Sequence, residues 1–550
     1  MFMEKIWLKH YPRNVSSTIG NLKFNSIVDL MKNSSSLFPN HTAFENLNTQ
    51  LSYKKIDRYS EKFGAYLQNK LSITKDSKVA IMLPNLLTYP VALFGSYLAG
   101  ATVININPLF KGREIESVLN DSKVETIIVL DRFMSELESI VKNTLIKNII
   151  VCKVTDLLSP IMSVLVKTVV FFKGPRIHLD NNYLLFSDAL KNSYIRTNVV
   201  LENKDIALLQ YTGGTTGKSK AAVLTHGNIL SNIEQLNMWV GPIVVPGKES
   251  IITALPLYHI FSFTVNLMYF YSIGSNNILV TNPRDLKSFV NTLKKNKFTV
   301  ITGVNTLFNL LLTSSSFKKI NFSALKFTVG GGMSVLSSTA KKWKKVTGID
   351  ITQGYGLTET SPIVSVNIIS EPFNSTIGPP IPSTEISIRD EKNNELNINQ
   401  EGELCVKGPQ VMSKYWNNPE ETKNSFTADG FFKTGDIAII KENGFLKIID
   451  RKKDMIISSG FNVYPNEIED YVSQHPDVRE CGVIGVNDSN RGESIRLFIV
   501  KDKKSLSERE VINFCKKGLA IYKIPKKVIF IDEIPKNNVG KILRRKLREK

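Results

Sequence analysis

The sequence predicts an α/β protein. A large N-terminal domain of doubly wound sheets with a small β section is followed by a small α+β C-terminal domain. Apolar, strand-like runs alternate with helical patterns through much of the 550 residues, which is typical of mostly parallel sheets with helical crossovers. From about Ile386 to Ile449 the pattern changes to short strands between Gly-, Asn- and Asp-rich turns, which indicates a compact β section.

The alternation can be followed along the chain. Val79–Leu83 is strand-like, Leu86–Ala99 is an apolar helical stretch, and Thr102–Ile106 is the next strand. Glu114–Asn120 and Glu125–Leu130 continue as a helix and a strand. The same rhythm returns at further strand-like runs: Ile251–Leu255, Asn277–Val280, Thr299–Thr302 and Leu325–Val329.

A charged break, DRKKD at Asp450–Asp454, separates the apolar strand Phe445–Ile449 from Met455–Ile457. About a hundred residues follow the break, which is a usual size for a domain. We therefore expect two domains. They are residues 1–450 and residues 451–550.

The chain is strongly basic, with a net charge of +20. Such a charge suits nucleic acid, an anionic membrane or a polyanionic small molecule, and a drift in composition explains it equally well. No basic stretch with interleaved aromatics accompanies the charge, which disfavours nucleic acid.

The four cysteines are scattered without a C-x-x-C, which indicates a reducing compartment. With no signal-peptide core and no spanning apolar run, we expect a cytoplasmic protein.

One apolar segment, Leu157–Phe172 (LLSPIMSVLVKTVVFF), has two interpretations. It is too short to span a bilayer, and Ser163 and Lys167 interrupt it. As a buried helix or strand pair it would belong to the core, and this is the interpretation we favour for the segment taken alone. As an interfacial helix it would make a peripheral contact with an anionic membrane, at the inner face of the cytoplasmic membrane.

The segment Tyr211–Lys220, YTGGTTGKSK, almost matches a nucleotide-phosphate loop. The P-loop pattern needs a glycine five residues before Gly217, where this chain has Thr212. Glycines allow backbone N–H groups to approach phosphate oxygens, hydroxyls donate further hydrogen bonds, and Lys218 or Lys220 adds positive charge. We predict a loop that binds ATP phosphates on a different plan from the Walker loop.

Two further glycine segments follow predicted strands. Gly330–Gly332 ends a strand, and Gly354–Thr360 reads GYGLTET. Ligands bind at the carboxyl ends of strands in open α/β sheets. Tyr355 is therefore a candidate to stack on a base. Glu359 is a candidate ligand for Mg²⁺ between phosphates, although a capping or surface role is the simpler explanation of Glu359 alone.

Several other candidates carry little weight singly. Asp436 can accept both hydroxyls of a ribose, or it can mark a turn. Arg451 can form only a local ion pair, and His259, in the apolar stretch LPLYHIF, has the pattern of a core histidine. Lys541 follows a glycine and can reach a carboxylate or phosphate as a point charge. The basic run around it is more typical of a solvated face.

In this order and spacing the segments resemble the adenylate-forming superfamily of acyl-CoA synthetases, luciferases and peptide-synthetase adenylation domains. The resemblance covers essentially the whole chain and is nearest to bacterial long-chain fatty-acid–CoA ligases. Gly430–Asp470 is similar to the signature block of that family almost throughout, and LPLYHIF, CVKGPQVM and PKNNVGKILRR match further blocks. Five motifs in order make this resemblance specific.

The resemblance implies a reaction in two steps, with ATP and coenzyme A as co-substrates and Mg²⁺ as cofactor. A long-chain fatty carboxylate would attack the α-phosphorus of ATP, giving acyl-adenylate and pyrophosphate. The thiol of coenzyme A would then attack the acyl carbon, and AMP would leave. This chemistry needs positioning and charge neutralisation rather than a protein nucleophile.

The resemblance also implies roles for the matching residues. The residues implied to bind ATP and AMP are Tyr211, Thr212, Gly213, Gly214, Thr215, Thr216, Gly217, Lys220, Gly330, Gly331, Gly354, Tyr355, Gly356, Thr358, Asp436 and Arg451. Those implied for the acyl and coenzyme A channel are His259, Phe263, Gly332 and Gly460. Lys541 and Glu359 would be catalytic, with Lys541 bridging the substrate carboxylate and the α-phosphate. Glu359 and Thr212 would hold Mg²⁺. Residues 1–450 would hold the ATP and acyl sites. Residues 451–550 would form a mobile lid that carries Lys541, with Lys453 as its hinge.

Three positions bear on affinity and on acyl-chain length. Ala221 stands where relatives usually have glycine, which would matter for ATP affinity if the backbone there needs a positive φ. Gly356 stands where short-chain relatives have tryptophan, and Phe263 matches an aromatic gate over the acyl tunnel. Each buried CH₂ contributes about 0.8 kcal/mol, so an open apolar tunnel favours long chains.

Other functions remain open beside that of a long-chain fatty-acid–CoA ligase. An aryl- or medium-chain acyl-CoA ligase would use the same scaffold. A carrier-loading adenylation domain is disfavoured because the sequence ends soon after Lys541. A basic nucleic-acid-binding protein would explain the charge and none of the motifs. A homodimer is also left open.

Overall fold

The computed structural model describes residues 5–173, 183–212, 219–458, 461–488, 492–502, 505–537 and 540–550. In this part of the chain, strands β1 to β24 are, in order, Thr42–Asn46, Thr49–Ser52, Lys78–Met82, Thr102–Asn105, Thr126–Leu130, Asn148–Cys152, Leu184–Leu185, Ile206–Thr212, Lys220–Thr225, Ser250–Thr253, Asn276–Leu279, Val300–Gly303, Phe327–Gly330, Ile351–Gly356, Ile363–Val366, Glu385–Arg389, Gly402–Lys407, Phe432–Ile440, Leu446–Arg451, Ile456–Ser458, Phe461–Val463, Val478–Asp488, Gly492–Lys501 and Lys527–Phe530.

Helices α1 to α16 within the same described ranges are Ile27–Leu37, Tyr53–Leu71, Thr88–Leu98, Gly112–Ser122, Met134–Glu138, Pro160–Lys173, Phe186–Ala189, His226–Val240, Phe270–Ser272, Leu286–Lys295, Asn305–Thr313, Ser337–Thr347, Pro419–Ser425, Pro465–Val472, Glu508–Lys516 and Arg544–Arg548. A π-helix spans Ser262–Tyr269. The 3-10 turns are Ile6–His10, Asp131–Phe133, Val141–Asn143, Phe317–Lys319, Thr358–Thr360, Lys452–Asp454 and Ile521–Lys523.

Two large, mostly parallel sheets confirm the predicted α/β fold. One has the strand order β15-β14-β13-β12-β10-β11-β1-β2, and the other has the order β7-β6-β5-β3-β4-β8-β9. Each of the seven strand-like runs between Val79 and Val329 corresponds to a strand whose ends differ by at most two residues. Their continuous apolar character follows from burial on both faces; all five residues of β5, for example, are buried.

The small β section and the α+β unit are confirmed too. Strands β16-β17-β18-β19 form an antiparallel sheet between Glu385 and Arg451. Strands β21-β20-β23-β22, with β24 beside β23, form a last sheet that α14 and α15 accompany. This last unit has its own apolar core, which includes Ile468, Val483 and Leu497. The 3-10 turn Lys452–Asp454 separates the two sheets at the predicted charged break.

The apolar segment Leu157–Phe172 forms most of α6, and the interpretation of it as a buried element is wrong. Six of its apolar side chains are exposed, among them Ile161 by 75%, Val164 by 64% and Phe172 by 77%. Among its described side chains, only Leu157 and Leu158 at its start pack against the main core. The charged side chain of Lys167 is exposed on the same helix. None of the helices in the described ranges combines the length and the apolar character that a membrane crossing requires.

Candidate active site

A cavity of about 810 Å³ lies where the carboxyl ends of β13 and β14 meet the four-stranded sheet and the C-terminal unit. Strands β12, β13 and β14 are neighbouring and parallel, so the loops that follow them share one edge of the sheet. The predicted site residues that line this cavity are Gly332, Gly354, Tyr355, Gly356, Asp436, Arg451 and Lys541. The fold thus brings together residues that come from three separate stretches of the chain.

The VGGG segment approaches its neighbours so closely that side chains are excluded. Strand β13 ends at Gly330, where a Cβ would lie 2.6 Å from the Cγ2 of Val335. A Cβ on Gly331 would lie 3.1 Å from the ring of Phe261. Gly332 has a φ of +74°, a conformation that favours glycine. The backbone of this loop therefore forms part of the cavity wall.

Position 356 requires glycine because the backbone of a neighbouring segment approaches it closely. It is the last residue of β14, which pairs antiparallel with β15. A Cβ on Gly356 would lie 1.9 Å from the carbonyl oxygen of Pro362. At Gly354, two residues earlier, a Cβ would make only an ordinary contact of 3.6 Å with Val366. The glycine at position 356 thus has a cause that is independent of the length of an acyl chain.

Asp436 is held by two partners on different sheets. The Tyr355 hydroxyl donates a hydrogen bond to Oδ2 of Asp436 at 2.5 Å. The Arg451 Nε lies 2.7 Å from Oδ1, and Asp436 and Arg451 are cross-strand neighbours in β18 and β19. Burial and the charge of Asp436 raise the pKa of Tyr355 well above its usual range, so the phenol stays a donor. Asp436 lies inside β18 rather than near the end of a strand.

Lys541 is presented by a tight turn. Its backbone N–H donates to Oδ1 of Asn537 at 2.8 Å, and the N–H of Asn537 donates back to the Lys541 carbonyl at 2.8 Å. Gly540, at a φ of +84°, permits the turn. The Thr306 hydroxyl donates to the carbonyl of Gly540 at 3.4 Å. These contacts hold the turn against the N-terminus of α11.

Burial and nearby charges shift the pKa values of Lys541 and His259. Burial lowers the pKa of Lys541 to about 8, and Arg451 lowers it further against the opposing effect of Asp436. Burial, and then the charge of Lys541, lowers the pKa of His259 to about 4. His259 is therefore a neutral ring near the ammonium group at pH 7. Its position is half-buried rather than in the deep core.

A second cluster lies around Glu359. The Tyr415 hydroxyl donates to Oε1 of Glu359 at 2.8 Å, and burial together with Glu359 raises the pKa of Tyr415 above its usual range. Lys220 forms an ion pair with Glu421, and its Nζ lies 5.6 Å from the centre of the Tyr415 ring. Strand β9, which begins at Lys220, also contacts the 3-10 turn Thr358–Thr360. Tyr415 thus connects the predicted phosphate-loop lysine with the predicted metal ligand.

The residues that flank the predicted phosphate loop lie in an antiparallel pair of strands. Tyr211 pairs with Ala221, and the Tyr211 hydroxyl donates to Oδ2 of Asp121 at 2.6 Å. Ala221 has no positive φ, so a methyl group at this position introduces no backbone strain. Thr212 ends β8 opposite Lys220. The predicted residues that lie outside the described part of the chain are Gly213, Gly214, Thr215, Thr216, Gly217, Lys218 and Gly460.

Phe263 and Lys453 are two further predicted residues that do not line the cavity. The Phe263 ring is fully buried in the π-helix and belongs to the main core, so its role as an acyl gate stays a prediction. Lys453 is exposed in the turn Lys452–Asp454. That position suits a hinge, and the role stays a prediction as well.

The structure adds residues that the sequence did not single out. Tyr415 and Glu421 are more than fifty residues from their partners at the site, and no local pattern marks them. Thr306 and the pair Tyr464–Glu401, with a hydroxyl–carboxylate distance of 2.7 Å, join the C-terminal unit to the rest of the chain. The predicted strand–glycine pattern could have drawn attention to Thr306, because it follows β12 in the same way.

Comparison with known families and proteins matches this architecture. A family model described as AMP-binding enzyme matches residues 31–416, and the model of the AMP-binding enzyme C-terminal domain matches residues 467–541. A long-chain-fatty-acid–CoA ligase of Escherichia coli O157:H7 is 47% identical over 555 residues, covering 100% of this chain and 98% of the relative. The ligase of the same name from Haemophilus influenzae is 44% identical, with the same coverage of both chains.

Solved structures show the same fold. The anthranilate CoA ligase AuaEII in complex with anthranoyl-AMP superposes with a TM-score of 0.85 at 24% identity, covering 96% of this chain and 97% of that one. ATP-bound MatB from Rhodopseudomonas palustris gives a TM-score of 0.82 at 26% identity, covering 96% of this chain and 99% of that one.

Proposed function

Because this chain belongs to the AMP-binding enzymes, and among them to the long-chain-fatty-acid–CoA ligases, we propose that the cavity around Asp436 and Lys541 carries out both steps of that activity. A fatty acid is first joined to AMP, with release of pyrophosphate. The acyl group is then transferred to coenzyme A, with release of AMP. One observation carries the assignment of the site: Lys541, nine residues before the last residue of the sequence, lines the same cavity as Asp436, Arg451 and the glycine loops.

The first step brings two anions together, the fatty carboxylate and the α-phosphate. A carboxylate oxygen forms a bond to the α-phosphorus while the bond to pyrophosphate breaks. Lys541 neutralises the charge of both groups, since a preorganised cation in a desolvated cavity stabilises charge that develops there. Asp436, whose orientation is fixed by Tyr355 and Arg451, accepts hydrogen bonds from the ribose hydroxyls. The backbone of Gly330–Gly332 and the ring of Tyr355 contact the adenine base.

The second step needs a different arrangement at the acyl carbon. The sulfur of coenzyme A forms a bond to this carbon, and the bond to the AMP oxygen breaks. We propose the two domains expected from the sequence, residues 1–450 and 451–550, with Lys453 as the hinge. Rotation about it withdraws Lys541 and brings the Gly460 region to the cavity for the pantetheine arm. An exposed 3-10 turn between two sheets can absorb such a change with few residues.

Magnesium fits the donors near Glu359. The described residues contain no group of three or more His, Cys, Asp or Glu side chains that could by themselves hold a metal ion, so an ion here would be held by Glu359, the Thr212 hydroxyl and phosphate oxygens. Mg²⁺ prefers such sites, with one or two carboxylates and substrate phosphates. When bound, the ion neutralises phosphate charge. Tyr415 orients the Glu359 carboxylate through one oxygen.

The proposed acyl substrate is a long chain, and the close relatives named above support this. Gly356 gives no independent support, because its glycine has a backbone cause. AMP formation measured against saturated fatty acids of rising length, with and without coenzyme A, tests the proposal. We expect turnover to rise with chain length and pyrophosphate to appear with or without coenzyme A. Fastest turnover with an aryl or medium-chain acid would favour the rival ligase, and no pyrophosphate with any acid would refute the activity.

We also propose that α6 contacts the anionic inner face of a membrane. Six of its apolar side chains are exposed, between Ile161 and Phe172, and Lys167 adds a positive charge to a chain of net charge +20. Amphiphilic helices of this kind lie in the membrane interface, and anionic lipids attract their basic residues. The contact would place the enzyme where long-chain fatty acids are dissolved.

A further inference from the structure

Helix α12, which follows the glycine loop of the cavity, lacks an N-terminal cap of its own. Its N-cap residue is Leu336, which makes no side-chain capping bond, and its first turn contains no acidic residue. The N–H of Leu336 donates to Oδ1 of Asn305 at 3.0 Å. The next N–H, that of Ser337, donates to Oδ1 of Asp470 at 3.0 Å. Asp470 belongs to α14 in the C-terminal unit, so the cap comes from the other side of the cavity.

Asp470 is poorly placed for its own helix and well placed for α12. It lies in the last turn of α14, Pro465–Val472, where the helix dipole disfavours a negative charge. At the N-terminus of α12 the same charge is favoured, and the exposed lysines Lys341 and Lys342 follow on that helix. Such a conflict between local and global preference is typical of functional positions. A second contact, 3.1 Å between the hydroxyls of Ser338 and Ser473, lies beside the first.

We propose that Asp470 is a positioning residue, a latch that holds the C-terminal unit in the orientation in which Lys541 lines the cavity. The latch closes on helix α12, which begins five residues after Gly332. It therefore couples the lid to the loop proposed to line the nucleotide. Release of Asp470 leaves the N-terminus of α12 uncapped, so the latch favours the adenylation orientation over the thioester-forming one. The activity readout of this inference rests on the proposed two-step function.

Substitution on both sides of the contact tests the latch. Asp470→Ala removes the acceptor. Ser337→Pro removes both donors on the other side, the backbone N–H and the hydroxyl, which donates to Oδ2 of Asp470 at 3.4 Å. Proline is favoured at the first position of a helix. Leu336, with φ −71° and ψ 141°, already has the extended conformation that a residue before proline prefers. Glu467→Gln is the matched control, since it removes a carboxylate from the same helix that pairs with Lys523 inside the C-terminal unit.

Two measurements are made on each full-length variant. The first is the ratio of adenylation, measured as pyrophosphate release without coenzyme A, to thioester formation from supplied acyl-adenylate. We expect the ratio to fall about 3- to 10-fold in Asp470→Ala and in Ser337→Pro, on the scale of a charge at a helix terminus. The double variant should fall no further than either single one, because both remove one contact. Glu467→Gln should keep the wild-type ratio.

The second measurement is hydrogen exchange of the backbone at Ser337 and Ser338, which does not depend on turnover. Exchange should be faster in Asp470→Ala than in the wild type and in Glu467→Gln, with unchanged thermal midpoints. An unchanged ratio together with unchanged exchange overturns the latch. A parallel loss of both half-reactions with a lowered thermal midpoint also overturns it. A wild type that releases no pyrophosphate refutes the proposed function, and hydrogen exchange still decides on the latch.

Discussion

The hydroxyl of Tyr355 donates to Oδ2 of Asp436 at 2.5 Å, and this bond joins the end of the eight-stranded sheet to the four-stranded one. Because Arg451 approaches the other carboxylate oxygen, the orientation of Asp436 is fixed from two sides before any ligand arrives. Asp436 lines the cavity, and a carboxylate keeps acceptor sites on both oxygens after these two contacts. A preorganised acceptor of this kind suits a pair of ribose hydroxyls.

Tyr355→Phe removes this hydroxyl and keeps the ring. We expect the KM for ATP to rise on the order of tenfold or more, because a hydrogen bond to a charged group contributes about 1.5–3 kcal/mol, with a much smaller change in kcat. Steady-state adenylation kinetics measure both constants. Tyr183→Phe is the control, because it breaks a phenol–carboxylate bond of 2.9 Å to Glu138 outside the cavity. A lowered kcat at unchanged KM would contradict the assignment of Asp436 to nucleotide binding.

The pKa of Lys541, about 8, predicts an alkaline limb in the adenylation reaction. Below pH 8 the ammonium group is charged and can neutralise the reacting anions; as pH rises through 8 the charge is lost. The plot of kcat/KM against pH, which reports on the free enzyme, should therefore fall above about pH 8.

Lys541→Arg supplies the control for this titration. A guanidinium stays charged throughout the accessible range, so the alkaline limb should disappear even where the rate itself is lower. An identical limb in Lys541→Arg would assign the titration to another group.

Gly356→Ala tests the close backbone contact at the end of β14. A methyl group would lie 1.9 Å from the Pro362 carbonyl, and overpacking of this kind destabilises by about 1–3 kcal/mol. Gly354→Ala, where the nearest atom is at 3.6 Å, is the matched control in the same strand. We expect a lower midpoint of urea unfolding for Gly356→Ala only. Equal midpoints for the two variants would show that the backbone relaxes without cost.

The exposed helix α6 predicts binding to anionic vesicles. Ile161→Ser combined with Leu165→Ser removes two exposed apolar side chains one turn apart. Co-sedimentation with phosphatidylglycerol vesicles should fall on the order of tenfold or more, given the area removed from water. It should be weak with phosphatidylcholine and weaken with salt.

Leu109→Ser combined with Leu145→Ser is the control for α6, since both side chains are about half exposed outside this helix. Unchanged binding in the Ile161/Leu165 variant would remove α6 as the membrane contact. If the wild type instead forms a homodimer that the same substitutions dissociate, a second copy of the chain occupies the helix.

Much of the fold could be predicted because parallel strands are buried on both faces and leave continuous apolar runs. The ends of strands depend on pairing partners, which no local pattern shows. Gly354–Gly356 was expected in a loop, yet it extends β14 because Ile363–Val366 pairs with it. Asp436 was expected near a strand end, and it lies inside β18 for the same reason.

The exposure of side chains and the contacts between residues far apart in the chain could not be predicted from the sequence. The composition of α6 is that of a buried helix, and only the tertiary structure shows that six of its apolar side chains are exposed. Tyr415 and Asp470 act across elements far apart in sequence. Asp436, Arg451 and Lys541 were predicted as site residues from the order of the motifs in the resemblance. In the structure all three line the same cavity.

The central claim is that Lys541 serves the first half-reaction and leaves for the second. Its most direct test measures both half-reactions in Lys541→Ala, with Lys546→Ala, an exposed lysine of the same basic run, as the control. Pyrophosphate release with fatty acid and ATP should fall on the order of 10²–10³-fold, the scale for losing one preorganised electrostatic contact. Thioester formation from supplied acyl-adenylate should keep the wild-type rate. An equal loss in both half-reactions, or none in either, would contradict the account.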